Sequence, residues 1–335
     1  MKRNIYFIPE KNVQNKYTEL IQESFIEAGF KRSDFFQSNY IYLNWYENVN
    51  PNNIILALLS FFKKILYILS IIILGKKLIW TFHNYEPHHR RFSNFNFFLE
   101  SWIIFCSKYV VIHSKSSKSF LLKKHSNIRL SKIIFLPHPN YIQSYPIQSF
   151  SESNDKKEEI VFLFLGLIKP YKNIESLIRV FNYLKEEKVL LKIYGKADLD
   201  YQRELMKLCQ SPNIELNFGF VDDSRISKII HDCDLVITPY LPGTMLNSGT
   251  HILSFSLGKT VLTTPVCTDL DIDENLWFKL EDLSNIDKSI IRSIENIIKN
   301  YSKEDLEYMG KELFNLMKRD YSIEKIANMI TKTIK

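Results

Sequence analysis

The sequence predicts an α/β protein of two Rossmann-like, doubly wound domains, each a parallel sheet covered on both faces by helices. Short β-rich runs alternate with helical stretches along the whole chain, the grammar of parallel sheets. Some runs, Ile160–Leu165 above all, are apolar without alternation, as strands covered on both faces must be. A chain of 335 residues accommodates about two domains. The polar, Ser-rich stretch from Gln148 to Glu159 reads as their linker, which divides the chain into 1–150 and 151–335.

The elements follow in order. Asn4–Ile8 reads as a buried strand, and a helical stretch from about Val13 to Ala28 follows it, ended by Gly29. Tyr40–Leu43, Leu78–Phe82, Tyr109–His113 and Lys132–Leu136 are the next strands, with helices near 95–107 and 115–124. In the second half, Ile160–Leu165 leads to a helix from Ile174 to Glu187. Strands at Leu190–Tyr194, Ile214–Phe218, Leu235–Thr238 and Thr260–Thr263 come next, and Tyr321–Ile334 reads as an amphipathic helix. Ligands of such sheets lie beyond the carboxyl ends of the strands, so the residues just after each strand matter most.

Composition narrows the class. At 45% hydrophobic and 24% charged residues, the chain is no disordered tail. Cys106, Cys209, Cys233 and Cys267 show no CxxC spacing, which excludes a zinc site or disulfide framework and points to a reducing cytoplasm. No secretory leader opens the chain, since the first apolar run stops at Pro9 and Glu10. The net charge of +7 is uneven: residues 1–150 carry 19 Lys and Arg against 8 Asp and Glu, the remainder 25 against 29. A basic first half suits an anionic partner such as a membrane surface or a phosphorylated substrate; a solvated lysine surface is the plainer alternative.

Ile54–Leu74 is apolar apart from Ser60, Lys63, Lys64 and Ser70. Its 21 residues are long enough to span a bilayer. Two adjacent lysines at mid-span oppose that, at roughly 2.5–3.5 kcal/mol each. A helix lying on a membrane keeps the lysines wet while Phe61, Phe62, Leu66 and Leu69 are buried.

Four stretches carry chemistry in the second half. In GLIKPYKN (Gly166–Asn173), Gly166 permits close backbone approach, and Lys169 and Lys172 lie where a helix N-terminus favours an anion. In YGKA, Tyr194, Gly195 and Lys196 follow another strand end. In NFGFVDD, Phe220 and Val221 are placed to hold a nucleobase edge, while Asp222 or Asp223 caps the next helix. Finally Asn247, Ser248, Gly249 and Thr250 set hydroxyls and bare N–H groups at a second helix N-terminus; two such termini with lysines make a diphosphate cradle. Capping by Asn247 or Ser248 explains part of the same pattern.

GLIKPYKN, YGKA, GFVDDSRISKIIHDCDLVITPY and NSGTHILSFSLGKTVL together resemble the donor domain of GT-B glycosyltransferases, close to glycosyltransferase family 4, over most of residues 158–335. TFHNYEPHHRR and LPHPNY resemble a bacterial subgroup that builds surface polysaccharides. The resemblance implies two domains facing a crevice, with the last helix crossing back to the first domain. Many family 4 members carry two glutamates flanking the donor site. Met245 and Leu253 stand at those positions, and no carboxylate occurs between Asp234 and Asp269.

The acceptor half is expected in the first domain. His83, Glu86 and His88 follow a strand end and supply a base with a pKa suited to neutral pH, Arg90 suits a phosphate, and Asn15 and Tyr17 are acceptor contacts. His113 and His138 also end strands. The spacing of His83, Glu86 and His88 matches no metal motif, so no cofactor is expected. The implied function is transfer of a sugar from a UDP- or GDP-linked donor to a hydroxyl of a lipid-linked, polyprenyl-diphosphate-borne glycan, on the inner membrane face, with no nucleic-acid partner. A nucleotide-sugar 2-epimerase is the alternative on the same fold. A basic nucleic-acid-binding module would need exposed aromatics among its basic residues, whereas these are dispersed.

Overall fold

A computed structural model describes residues 3–10, 15–85, 91–145 and 159–335. The chain groups into two compact units, and the expected linker, apart from Glu159, lies outside the described residues. One unit contains Met1–Pro139, Gly243–Asn247 and Asp320–Lys335; the other contains Asn140–Pro242 and Ser248–Arg319.

The first unit runs β1 (Asn4–Ile8), α1 (Tyr17–Glu27), β2 (Lys31–Arg32), β3 (Tyr40–Leu43), α2 (Ile54–Ile73), β4 (Lys77–Thr81), α3 (Ser93–Cys106), β5 (Tyr109–Ile112), α4 (Ser117–Lys124) and β6 (Ile133–Phe135). Its six strands are all parallel, in the order β2-β1-β3-β4-β5-β6. The order reverses at β1, so the β1/β3 boundary is where this sheet opens toward a ligand. The helix expected from Val13 begins at Tyr17, where Asn15 accepts the Tyr17 N–H and so sets the first turn; residues 11–14 lie outside the described residues.

The second unit runs β7 (Ile160–Leu165), α5 (Ile174–Tyr183), β8 (Val189–Gly195), α6 (Leu199–Leu208), β9 (Ile214–Phe218), α7 (Asp223–His231), β10 (Leu235–Thr238), α8 (Gly249–Ser256), β11 (Thr260–Thr263), α9 (Cys267–Leu270), β12 (Phe278–Lys279), α10 (Ile286–Asn300) and α11 (Lys303–Asp320). The parallel order β12-β11-β10-β7-β8-β9 is that of a dinucleotide-binding fold, and it reverses between β7 and β10. β7 is buried at every position, as its unbroken apolar run requires. The helix after it stops at Tyr183, short of the expected Glu187, because the polar, exposed Lys185-Glu186-Glu187 offers no further face to bury.

The last helix, α12 (Ile323–Thr333), packs against α1. Its Ile326, Ala327 and Ile330 complete the core formed by Ile5, Phe7, Ile21 and Phe25. In contrast, α2 is largely uncovered. Only Ala57, Ile68 and Ile71 are buried, while Ile55, Leu59, Phe62, Leu66 and Ile73 are exposed. α3 lies beside it with Phe97, Phe98 and Phe105 exposed, and Phe61 of α2 contacts the rings of Phe95 and Phe98. The two helices therefore present one apolar face, wider than α2 alone supplies.

Ile330→Ala leaves a cavity under α1, and the expected loss is about 2–4 kcal/mol of stability, read from urea unfolding.

Candidate active site

At the β7/β10 reversal Gly166, Lys172 and Thr250 come together. After Leu165, Gly166 adopts φ +139°, a conformation that favours glycine. A Cβ on Gly166 would stand 3.4 Å from Lys172 Nζ and 3.7 Å from Thr250 Oγ1, so these three groups meet at one spot. Gly195 keeps them there: a side chain on it would collide with the Gly166 carbonyl oxygen. Lys172, in the turn Pro170–Lys172, is only 7% exposed. Its ammonium lies over the rings of Phe164 and Tyr240, 5.7 and 5.4 Å from their centres. Among the described residues no carboxylate pairs with it, and burial alone pulls its pKa down to about 8. A buried cation without a counter-ion is costly, and a bound phosphate would relieve that cost.

The first turn of α8 faces this group. Ser248 Oγ accepts the His251 N–H and pairs with the Tyr240 hydroxyl at 3.0 Å, and the Ser248 N–H donates to Thr268. The N–H groups of Gly249 and Thr250 have no acceptor within the helix, which is the usual state of a helix start. Underneath, His251 is fully buried: Nδ1 lies 2.7 Å from Asp269 Oδ1 and Nε2 lies 2.7 Å from Thr238 Oγ1. Asp269 also accepts the Val266 N–H, while the His251 ring stacks on Tyr240. Strand ends β10 and β11 are thereby tied to the helix that faces Lys172.

In the first unit the residues following β3, β4, β5 and β6 form a cluster of aromatic rings. The Leu136 carbonyl accepts from His113 Nδ1, so His113 Nε2 accepts from the Tyr17 hydroxyl at 2.9 Å. Burial pushes His113 down to about 4 and His138 to about 3, so both are neutral at pH 7. Of the three rings, only His83 is half-exposed. It stacks on Trp45 with centroids 4.3 Å apart at 18°, and its Nε2 lies 2.8 Å from Asn44 Oδ1. With that amide oxygen accepting, a neutral His83 carries its lone pair on Nδ1.

The solved structure of Anabaena HepE in complex with UDP and glucose superposes with a TM-score of 0.74 at 12% identity, covering 100% of this chain and 99% of that one. Sucrose-phosphate synthase of Thermosynechococcus elongatus gives 0.69 at 12% identity, over 96% and 79%. The fold is GT-B. Residues 147–244 match the family model of the group 1 glycosyl transferases. The GDP-mannose:glycolipid 4-beta-D-mannosyltransferase of Xanthomonas campestris pv. campestris is 32% identical over 102 residues, 30% of this chain and 29% of that protein. The matched stretch thus spans less than a third of this curated relative.

Within this GT-B framework the expected donor residues separate. Gly166, Lys172 and Thr250 converge, with Gly249 at the same helix start. Lys169 is instead paired with Asp198 at 2.8 Å, and Lys196 is exposed. Tyr194 is half-buried in β8, and Gly195 serves packing. Phe220 is exposed beside half-buried Val221, while Asp222 caps α7. The Ser248 hydroxyl caps α8, which is compatible with an anion at the same helix start, and Asn247 Oδ1, grouped with the first unit, accepts from Ser114 and Ser117.

In the first unit Tyr17 is 1% exposed, which makes it an interior support for His113 and not an acceptor contact. Asn15 shapes the start of α1. Glu86, His88 and Arg90 lie outside the described residues. Among the described residues no group of His, Cys, Asp or Glu could hold a metal ion. The sequence reading missed Tyr240, His251 and Asp269, and also Asn44 and Trp45. His251 and Asp269 are separated by 18 positions, and no periodicity links them.

Lys172→Met should raise the melting temperature of the ligand-free protein at pH 7, by about 1–3 kcal/mol of stability, while abolishing the shift caused by nucleoside diphosphates. In the unaltered chain, diphosphate affinity measured by calorimetry should fall as pH rises above about 8, because Lys172 then loses its proton before the ligand arrives.

Proposed function

We propose that this chain is a glycosyltransferase that moves a sugar from a nucleoside diphosphate sugar to a hydroxyl of a lipid-linked glycan. The observation that carries the reading is the buried Lys172 ammonium, which no carboxylate among the described residues pairs with, beside Gly166 and Thr250. Lys172 and the N–H groups opening α8 would hold the diphosphate and stabilise the charge that develops on it as the glycosidic bond breaks. The family match, the UDP-bound neighbour and the mannosyltransferase relative support a UDP- or GDP-linked donor. That relative's name gives a glycolipid acceptor, and here the apolar face of α2 and α3 suits an enzyme working on a lipid-borne substrate.

The chemistry we infer is a direct, inverting displacement without a metal. His83, with Glu86 or His88 beside it in sequence, would take the proton of the acceptor hydroxyl. The electron pair of that oxygen forms the new bond to the anomeric carbon as the diphosphate leaves with the old one. The missing glutamate pair supports this, as does the β linkage in the relative's name. Lys63 on α2 and the basic first half would draw the enzyme to an anionic leaflet, with a polyprenyl-diphosphate glycan as acceptor and surface polysaccharide synthesis as its setting.

A thermal-shift screen of nucleoside diphosphates and their sugars tests the donor half, and no stabilisation by any of them would sink it. His83→Gln and Glu86→Gln should keep that stabilisation, and the variant that removes the base should lose turnover by about 10²–10⁴-fold. Sedimentation with anionic liposomes at low salt should carry the protein into the pellet, and Phe62→Ser with Phe98→Ser should leave it in the supernatant.

A further inference from the structure

The loop after β3 spans residues 44–49 and contains neither helix nor strand, so side chains must hold it. One end orients His83: Asn44 Oδ1 is at its Nε2, and Trp45, at φ 52°, stacks on its ring. The other end is gripped from the helices. Lys64 Nζ, on α2, donates to the carbonyls of Tyr46 and Asn48 at 2.7 Å each, and it lies 4.6 Å above the centre of the Tyr46 ring. Asn96 of α3 accepts the Val49 N–H at 2.9 Å. Glu47, between the two carbonyls, accepts from the Trp80 indole N–H at 3.1 Å and faces Lys64 electrostatically.

Its neighbour Lys63 is exposed, whereas Lys64 is turned inward and burial lowers its pKa to about 8. A surface lysine would not bear that cost. On a largely uncovered helix, Lys64 is spent on two backbone oxygens of the loop that carries Asn44 and Trp45.

We propose that Lys64 is a positioning residue: by clamping the Tyr46 and Asn48 carbonyls it fixes the loop whose Asn44 and Trp45 set the orientation of His83. The inference rests on the reading of His83 as the proton acceptor, but its geometric part stands apart from activity. It also gives α2 a second role. The helix with the exposed apolar face thereby also braces the loop that carries Asn44 and Trp45.

The test uses the full chain with 13C-labelled histidine rings. Stacking on Trp45 shifts the His83 ring resonance upfield, and its loss in His83→Gln assigns it. In Lys64→Met the upfield shift should collapse, with nucleoside diphosphate affinity unchanged within about twofold and kcat down roughly ten- to a hundredfold. Lys64→Arg, whose fork can reach both carbonyls, should restore the shift and most of kcat. A Lys64→Met protein that binds diphosphate normally, keeps the shifted resonance and turns over at the original rate overturns the proposal. Should Lys64→Met fail to melt cooperatively, Asn44→Ala breaks the other end of the loop and must move the same resonance; an unmoved signal there also overturns it. If His83→Gln remains fully active, the base assignment falls, and the ring signal still decides whether Lys64 positions His83.

Discussion

Lys172 is a charged group placed where folding alone would not put it. The second unit accepts a buried ammonium that, among the described residues, no carboxylate pairs with, and several features leave it unneutralised. Gly166 bends away at a positive φ, Gly195 lets the Gly166 carbonyl pass where a side chain would collide, and Tyr240 and Phe164 offer ring faces instead of counter-charge. Aromatic faces stabilise a cation by far less than an ion pair would. They leave its charge unneutralised, which is the condition for attracting a diphosphate. The strand order that reverses between β7 and β10 then brings Thr250 and the start of α8 to the same point.

The convergence of Gly166, Lys172 and Thr250 was legible because its signals are local and backbone-based. A strand end followed by glycine, a lysine before a helix, and a Ser-Gly-Thr helix start are adjacent in sequence, and the parallel topology assembles them without further information. β7, β9, β10 and β11 fall where the apolar runs place them. The support beneath was not legible. Asp269, His251, Thr238 and Thr263 come from four separate elements, and each alone reads as an ordinary polar residue. The same limit explains Ser248. Its hydroxyl suits either a ligand or a cap, and only the 3.3 Å contact with the His251 N–H decides for the cap.

In the first unit side chains do the organising, and sequence reasoning was correspondingly weaker. Tyr17 opens α1, yet it is buried and its hydroxyl donates to His113. His113 and His138, attractive as strand-end histidines, are held neutral by burial, which removes them as proton carriers near pH 7 and leaves them as hydrogen-bond partners. His83 differs in being half-exposed, and its ring is set by Asn44 and Trp45, from a loop with no motif of its own. The apolar run of α2 announced a helix and a surface. That α3 widens the face with Phe98 and Phe105 depends on the packing of Phe61 against Phe95 and Phe98.

The chemistry is constrained most by what stands at Met245 and Leu253. Neither side chain can offer negative charge to a sugar ring, and Asp269, which comes next along the chain, is fully buried and occupied by His251 and the Val266 N–H. A sugar that became strongly cationic before the nucleophile engaged would meet no carboxylate from this segment. The charge the second unit does provide is positive, at Lys172 and at the start of α8, and positive charge stabilises the departing diphosphate and not the sugar. Such an arrangement favours bond breaking matched by simultaneous attack, so that little charge accumulates on the ring. Under the proposed reading, the reaction therefore needs a base on the acceptor side, held still. A half-exposed imidazole clamped by Asn44 and Trp45 meets that demand better than the buried, neutral His113 or His138.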